Sequence, residues 1–260
     1  MNTEGPWYFT LFERAWYDEL APGGARSPVA LEQYARNTDR EVEFIAGTLA
    51  LSTPARLLDL CCGWGRHTIR LAQRGYVATG LDLSTYHIEL ARDAAREAGV
   101  QVDWIEGDMR RIPFPDASFD AVINMFTAFG YFDDRENQDV LDEVARVLAP
   151  GGRFLIDVIN RDYLMGVFRE SDWREDQEGG VILERRRWDA SAGRIHAEWI
   201  LIDADGRRRV HPHDERVYTL QELASCLTSA GLQVRTVFGE YDGSPLTRTS
   251  RRLIVLAEKS

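Results

Sequence analysis

The segment Arg56-Leu57-Leu58-Asp59-Leu60-Cys61-Cys62-Gly63-Trp64-Gly65-Arg66-His67-Thr68 holds the residues best suited to chemistry. It reads as an apolar strand carrying an acid, then a glycine turn, then the opening of a helix. Gly63 and Gly65 let the backbone approach a ligand and adopt dihedrals that a side chain resists. Such turns bind nucleotides, but the third glycine of the dinucleotide fingerprint is absent, because Thr68 occupies its place. The acid also precedes the glycines. Asp59 can accept a hydrogen bond from an ammonium group, so the turn suits a nucleoside with a cationic amino-acid tail better than a pyrophosphate.

Two more acids end short apolar runs. Tyr76-Val77-Ala78-Thr79-Gly80-Leu81-Asp82-Leu83-Ser84 places Asp82, followed by Leu83, where an acid reaches ribose hydroxyls in a doubly wound sheet. Val102-Asp103-Trp104-Ile105-Glu106-Gly107-Asp108-Met109 leads to Asp108 and Met109. Any one of these acids is ordinary as a helix N-cap or turn residue. Three at successive strand ends point to a nucleotide site. A fourth strand, Ser118 to Phe126, carries Asn124 at its end. A helix from Glu136 to Leu148 follows, with Val140, Leu141, Val144, Val147 and Leu148 in a stripe of helical period. Ala149-Pro150-Gly151-Gly152 then turns the chain into a fifth strand, Arg153 to Ile159.

These motifs, in this order, resemble the class I S-adenosylmethionine-dependent methyltransferases. Their first motif, D-x-G-x-G-x-G, is matched by Asp59, Gly63 and Gly65, with Cys61 where the first glycine stands, and Arg146 to Phe154 matches their passage between strands four and five. The resemblance implies S-adenosyl-L-methionine as cofactor. It also implies that Asp108 contacts the adenine amino group and that the Met109 amide contacts a ring nitrogen. Asp59, Cys61, Gly63, Gly65, Asp82, Leu83, Asp108, Met109 and Asn124 are the expected cofactor residues in the core. The expected fold is α/β: a doubly wound, mostly parallel, seven-stranded Rossmann-like sheet.

Composition agrees with one compact enzyme domain. The 260 residues suffice for an α/β core, and the formal charge is −11. Residues 1–160 hold 15 basic and 25 acidic side chains, and residues 161–260 hold 16 and 17, so the acid excess lies in the cofactor half. Arg185-Arg186-Arg187 and Arg207-Arg208-Arg209 are interleaved with acids and read as a solvated β face, which argues against a nucleic-acid partner. Cys61, Cys62 and Cys226 form neither a metal-ligand pattern nor a disulfide framework. With no membrane-length apolar run and no signal-peptide pattern at Met1-Asn2-Thr3-Glu4, the expected setting is cytoplasmic and away from membranes.

Outside the core, residues 1–40 are aromatic and resemble the N-terminal helical lid of small-molecule methyltransferases, with Tyr17, Tyr34 and Arg40 at lid positions over the cofactor. Ordinary packing of those aromatics is the alternative. Residues 41–160 form the cofactor core. Residues 161–217 form an antiparallel β insertion on the substrate side, with strands Val181–Trp188, Arg194–Ile202 and Arg207–Val217. That insertion resembles the one in glycine and aminosugar N-methyltransferase-like members. Residues 218–260 return to the sheet as a helix and hairpin.

The expected reaction is in-line methyl transfer to a nitrogen or oxygen of a small-molecule acceptor, needing alignment and water exclusion more than covalent help. Tyr131 and His211 are the candidate bases, with Asn160 and His213 behind them; packing is the plainer role for each. A non-catalytic adenosyl-ligand binder, a nicotinamide oxidoreductase and a methyltransferase acting on tRNA or protein are the competing readings. A homodimer is compatible with the sequence.

Overall fold

The computed structural model describes residues 6–11, 28–175 and 179–260. Tyr17 lies outside the described residues, and the Tyr34 side chain does too. The chain runs α1 (Trp7–Thr10), α2 (Pro28–Leu49), β1 (Arg56–Leu60), α3 (Arg66–Gln73), β2 (Val77–Asp82), α4 (Thr85–Glu97), β3 (Asp103–Glu106), β4 (Phe119–Asn124), α5 (Asp134–Val147) and β5 (Leu148–Ile159). It continues with α6 (Arg161–Val167), β6 (Ser171–Glu175), β7 (Val181–Asp189), β8 (Arg194–Ile202), β9 (Arg208–Arg216), α7 (Leu220–Ser229), β10 (Leu232–Phe238) and β11 (Arg252–Lys259).

Seven strands form one sheet in the order β10-β11-β5-β4-β1-β2-β3. All neighbours are parallel except β11, which is antiparallel to both β5 and β10. The expected Rossmann-like sheet is therefore present. Its central strands are covered on both faces, which is why they read as continuous apolar runs. One face packs Leu58, Leu60, Val122 and Ile156 against Val140, Leu141 and Val144 of α5 and Leu223 and Leu227 of α7. The alternate residues Leu57, Ala121, Ile123 and Leu155 meet Val42, Ile45 and Leu49 of α2.

Helix starts follow from their caps. Ser84 accepts from the His87 amide, Asp133 from the Glu136 amide, and Thr219 with Glu222 closes a reciprocal capping box at α7. The Pro150-Gly151-Gly152 turn is a bulge within the β5 pairing: Phe119 sits opposite Leu148, while Ala121 sits opposite Arg153.

The insertion after β5 is an antiparallel sheet of four strands, β6-β7-β8-β9, where three were expected. The added strand β6 is exposed at every residue and lacks the alternation that marks a half-buried strand.

Candidate active site

The carboxyl ends of β1, β2 and β4 surround a cavity at the point where the strand order reverses, β1 pairing β2 on one side and β4 on the other. The glycine turn forms its floor. Gly63 and Gly65 have φ of 53° and 79°. A Cβ on Gly63 would meet nothing, because that side opens on the cavity, whereas one on Gly65 would overlap the Trp104 ring. Cys61 itself has φ of 63°, so the position keeps a glycine-like backbone although it carries a side chain, whose Sγ lies 3.4 Å from Met109 Sδ. Burial pushes the Cys61 and Cys62 thiols well above their ordinary range.

Asp59 is buried, and its Oδ2 accepts from Thr68 Oγ1 at 2.6 Å. Thr68 thus replaces the third glycine with a hydroxyl that holds the motif acid. Burial raises the Asp59 carboxyl, against His67, Thr68 and Arg66, which lower it. Asp82 ties β2 to the turn: Oδ2 accepts from the Gly63 amide at 2.8 Å and Oδ1 from the Ser84 amide at 2.9 Å. These two amides take two of the four lone-pair positions of the carboxylate. Leu83, Asp108 and Met109 complete this wall. The Asp108 carboxylate is held by Arg110, with an ion-pair distance of 2.6 Å. Burial opposes its charge, but Arg110 outweighs that and keeps it below the usual carboxylate range. Arg110 also pairs with Glu136 and lies 4.3 Å over the Phe132 ring. On the opposite wall, Arg66 and His67 both bond the buried Glu41.

Beyond β4 the backbone turns through two consecutive left-handed residues, Phe126 (63°) and Thr127 (62°), a conformation that costs free energy in non-glycine residues. Asp157 of β5 holds this turn. Its carboxylate accepts from the Phe126 amide at 3.0 Å, its carbonyl from the Thr127 amide at 2.9 Å, and Tyr241 and Arg252 complete the carboxylate's partners. Phe126 is 51% exposed at the cavity, with the Arg66 guanidinium 5.2 Å from its ring.

Several expected residues lie elsewhere. Arg40 is exposed on α2 and faces Asp242 at 3.9 Å, in a separate depression; the arginine on the cavity wall is Arg66. Asn124 ends β4 but turns inward, giving its amide to the Leu60 carbonyl at 3.0 Å, while Met125 and Phe126 reach the cavity. Tyr131 does line it, yet its hydroxyl donates to the Thr127 carbonyl at 3.0 Å, and burial with the Glu215 charge raises the phenol well above its ordinary range. His211 lies on β9 opposite Trp199, outside the cavity lining. His213 packs between Trp199 and Trp7, ring centroids 4.4 and 6.2 Å away, and burial lowers it to about 4. Asn160 caps α6 and donates to the Thr247 and Ser250 carbonyls. Tyr8, Arg66, Phe126 and the half-buried acid Glu215 escaped the reading of the sequence.

Residues 57–152 match the family model of a methyltransferase domain. The chain is 28% identical over 221 residues to YqeM of Bacillus subtilis (strain 168), whose methyltransferase name is itself provisional; the match covers 81% of this chain and 87% of YqeM. It is 36% identical over 151 residues to the 27-O-demethylrifamycin SV methyltransferase of Amycolatopsis mediterranei (strain S699), covering 56% of this chain and about half (53%) of that enzyme. The structure superposes on the CcbJ methyltransferase from Streptomyces caelestis with a TM-score of 0.78 at 21% identity, over 95% of this chain and 99% of that one. The chain shares the fold of that methyltransferase structure, and its residues 57–152 match a methyltransferase domain. No helix among the described residues is long and apolar enough to cross a membrane.

Proposed function

We propose that this protein transfers a methyl group from S-adenosyl-L-methionine to a nitrogen or oxygen of a small-molecule acceptor by in-line displacement. The observation that carries this reading is the charge of the cavity wall. Asp59, Asp82 and Asp108 line it, while the arginine that lines it, Arg66, is already held by Glu41, and Arg110, behind the lining, is held by Asp108 and Glu136. Such a wall suits a cationic ligand and disfavours a pyrophosphate. The open side of Gly63 gives room for close approach.

In this reading the bound cofactor supplies an electrophilic methyl group on a positively charged sulfur. Gly63 and Cys61 shape the floor, with Gly65 outside the lining against Trp104, Asp59 favours the amino-acid end electrostatically, Asp82 with Leu83 takes the ribose, and Asp108 with Met109 takes the base. Tyr8 and Phe126 line the same cavity and limit water, and Tyr131 closes the side on which an acceptor would enter. Residues 1–40 act as the lid, residues 161–217 as the acceptor-side wall, and residues 218–260 complete the core sheet. The small-molecule acceptor is supported by the rifamycin methyltransferase, whose name specifies such a substrate. A cytoplasmic location accompanies it.

Calorimetric titration with S-adenosylhomocysteine, beside NAD, tests the proposal. Micromolar affinity for the former, weakened about 10- to 100-fold in Asp82→Ala, is expected from the loss of ligand hydrogen bonds to a charged group. A preference for NAD, or no binding, would refute it. Binding without consumption of S-adenosylmethionine across a broad acceptor panel would favour a non-catalytic binder.

A further inference from the structure

Glu215 is a half-buried acid that none of the roles above uses. On β9 it shares a phase with His211 and His213, and Ile195 of β8 lies opposite. The other phase is occupied: Asp214 takes Arg194, and Arg216 takes Asp134 and Glu222. Glu215 Oε1 is shut off from solvent and accepts no hydrogen bond. A buried carboxyl oxygen without a donor is costly, and a site so left calls for a missing partner.

Its position says what that partner touches. The Arg216 amide donates to the Gly130 carbonyl at 2.8 Å, and a Cβ on Gly130 would overlap the Arg216 carbonyl, so the two backbones are in contact. Gly130 precedes Tyr131, which lines the cofactor cavity, and the Glu215 charge is the strongest electrostatic influence on that phenol. The acid therefore lies beside Tyr131, next to the cavity lining rather than in it.

We propose that Glu215 is the acceptor's docking group and that the acceptor presents a basic amine, which Glu215 binds as an ammonium and relieves of a proton. This rests on the methyltransferase reading. The ammonium N–H proton passes to the carboxylate, leaving a neutral amine with a free electron pair and a carboxylic acid. The amine then forms the new C–N bond as the sulfur–methyl bond breaks, its electron pair staying on sulfur. The product leaves as the methylated ammonium with S-adenosylhomocysteine, and the carboxylic acid returns its proton to solvent.

The other candidates are engaged. Asp59 holds Thr68, Asp82 holds two amides, Asp108 holds Arg110, and the Tyr131 hydroxyl donates to a carbonyl. Burial lifts Glu215 to about 8, against Arg252 and Arg194, which lower it. That narrows the gap to an alkylammonium, so the proton transfer is less uphill than to an ordinary carboxylate. The charged and titratable groups that act on it are Arg252 on β11, Arg194 on β8 and Asp214 on β9, with Tyr131 beside it; His213, on the same phase of β9, faces Glu184 and Arg186 of β7.

The test uses the full chain saturated with S-adenosylhomocysteine and matched probes: cyclohexylamine against cyclohexanol, benzylamine against benzyl alcohol, ethanolamine against ethylene glycol. At least one amine should bind about tenfold or more tighter than its alcohol, as a charge-assisted contact implies. In Glu215→Gln that advantage should vanish while S-adenosylhomocysteine affinity stays unchanged. In the wild type, the carboxyl carbon resonance of Glu215 should shift when the preferred amine is added, a reading that needs no variant. Absence of an amine preference, its survival in Glu215→Gln, or an unmoved resonance overturns the inference. Failure of S-adenosylhomocysteine to bind at all would instead remove the methyltransferase reading beneath it.

Discussion

Asp157→Asn is the sharpest perturbation of the framework behind the site. Asp157 is fully buried, and its carboxylate accepts from Arg252 Nε and Nη2, both at 2.6 Å, from the Phe126 amide at 3.0 Å and from Tyr241. Asparagine keeps the shape and one carbonyl oxygen, so it can still receive the Phe126 amide. It removes the negative charge facing Arg252, whose guanidinium is then uncompensated in the interior. Breaking a buried pair from one side costs about 3–5 kcal/mol. At about 2–4 °C per kcal/mol for a domain of this size, the midpoint of thermal unfolding should fall by roughly 6–20 °C. Urea unfolding gives the free energy directly. The pair Asp157→Asn with Arg252→Met should be less destabilised than Asp157→Asn alone, because the orphaned charge has gone with its partner. The strained Phe126–Thr127 turn should also loosen, weakening S-adenosylhomocysteine binding in whatever fraction folds. A loss below about 1 kcal/mol, the range of an exposed pair, would refute the assignment of Asp157 and Arg252 as the clamp of that turn.

The two glycines of the turn should fail differently. Gly65→Ala forces a methyl into the Trp104 ring at positive φ and should lower stability by about 1–3 kcal/mol or more, whereas Gly63→Ala should cost about 1 kcal/mol of backbone strain while its methyl enters the cavity and cuts S-adenosylhomocysteine affinity; unfolding and calorimetry on both separate the two roles. Cys61→Gly should fold and bind much as wild type, because relief of the left-handed strain offsets the entropy of glycine to within about 1 kcal/mol, while Cys61→Val should lose both stability and binding. Glu222 is lowered to about 2, since bonds from Thr219 and Arg216 outweigh the burial that would raise it. A depressed acid stabilises the fold above its unfolded value of about 4.3 and loses that contribution as pH falls toward 2. Acid titration of unfolding should therefore be flatter over that window in Glu222→Gln than in wild type, and identical curves would count against the capping box.

What the chain disclosed by itself was local. Strand β1, the glycine turn, the acids at the ends of β2 and β3, and the apolar stripe of α5 each depend on neighbours a few residues away, so pattern and spacing expose them. Cys61 shows the limit of that approach: the letter departs from the motif, while its φ of 63° keeps the motif's backbone. Strand β6 was hidden because Ser171-Asp172-Trp173-Arg174-Glu175 is exposed throughout and is held by backbone pairing to β7 rather than by burial. The misplacements have the same origin. Asn124 and Arg40 stand at the right chain positions, but the Leu60 carbonyl and Asp242 decide where their side chains go, and both partners are remote in sequence. The clamp on the Phe126–Thr127 turn joins residues of β5, β11 and the loop between β10 and β11, a conjunction that exists only once the sheet is assembled. Glu215 is the instructive intermediate. Alternation along His211-Pro212-His213-Asp214-Glu215 already puts it on the phase of the two histidines, and an acid on a phase shared with packing residues marks the carboxyl two positions past His213 rather than His211.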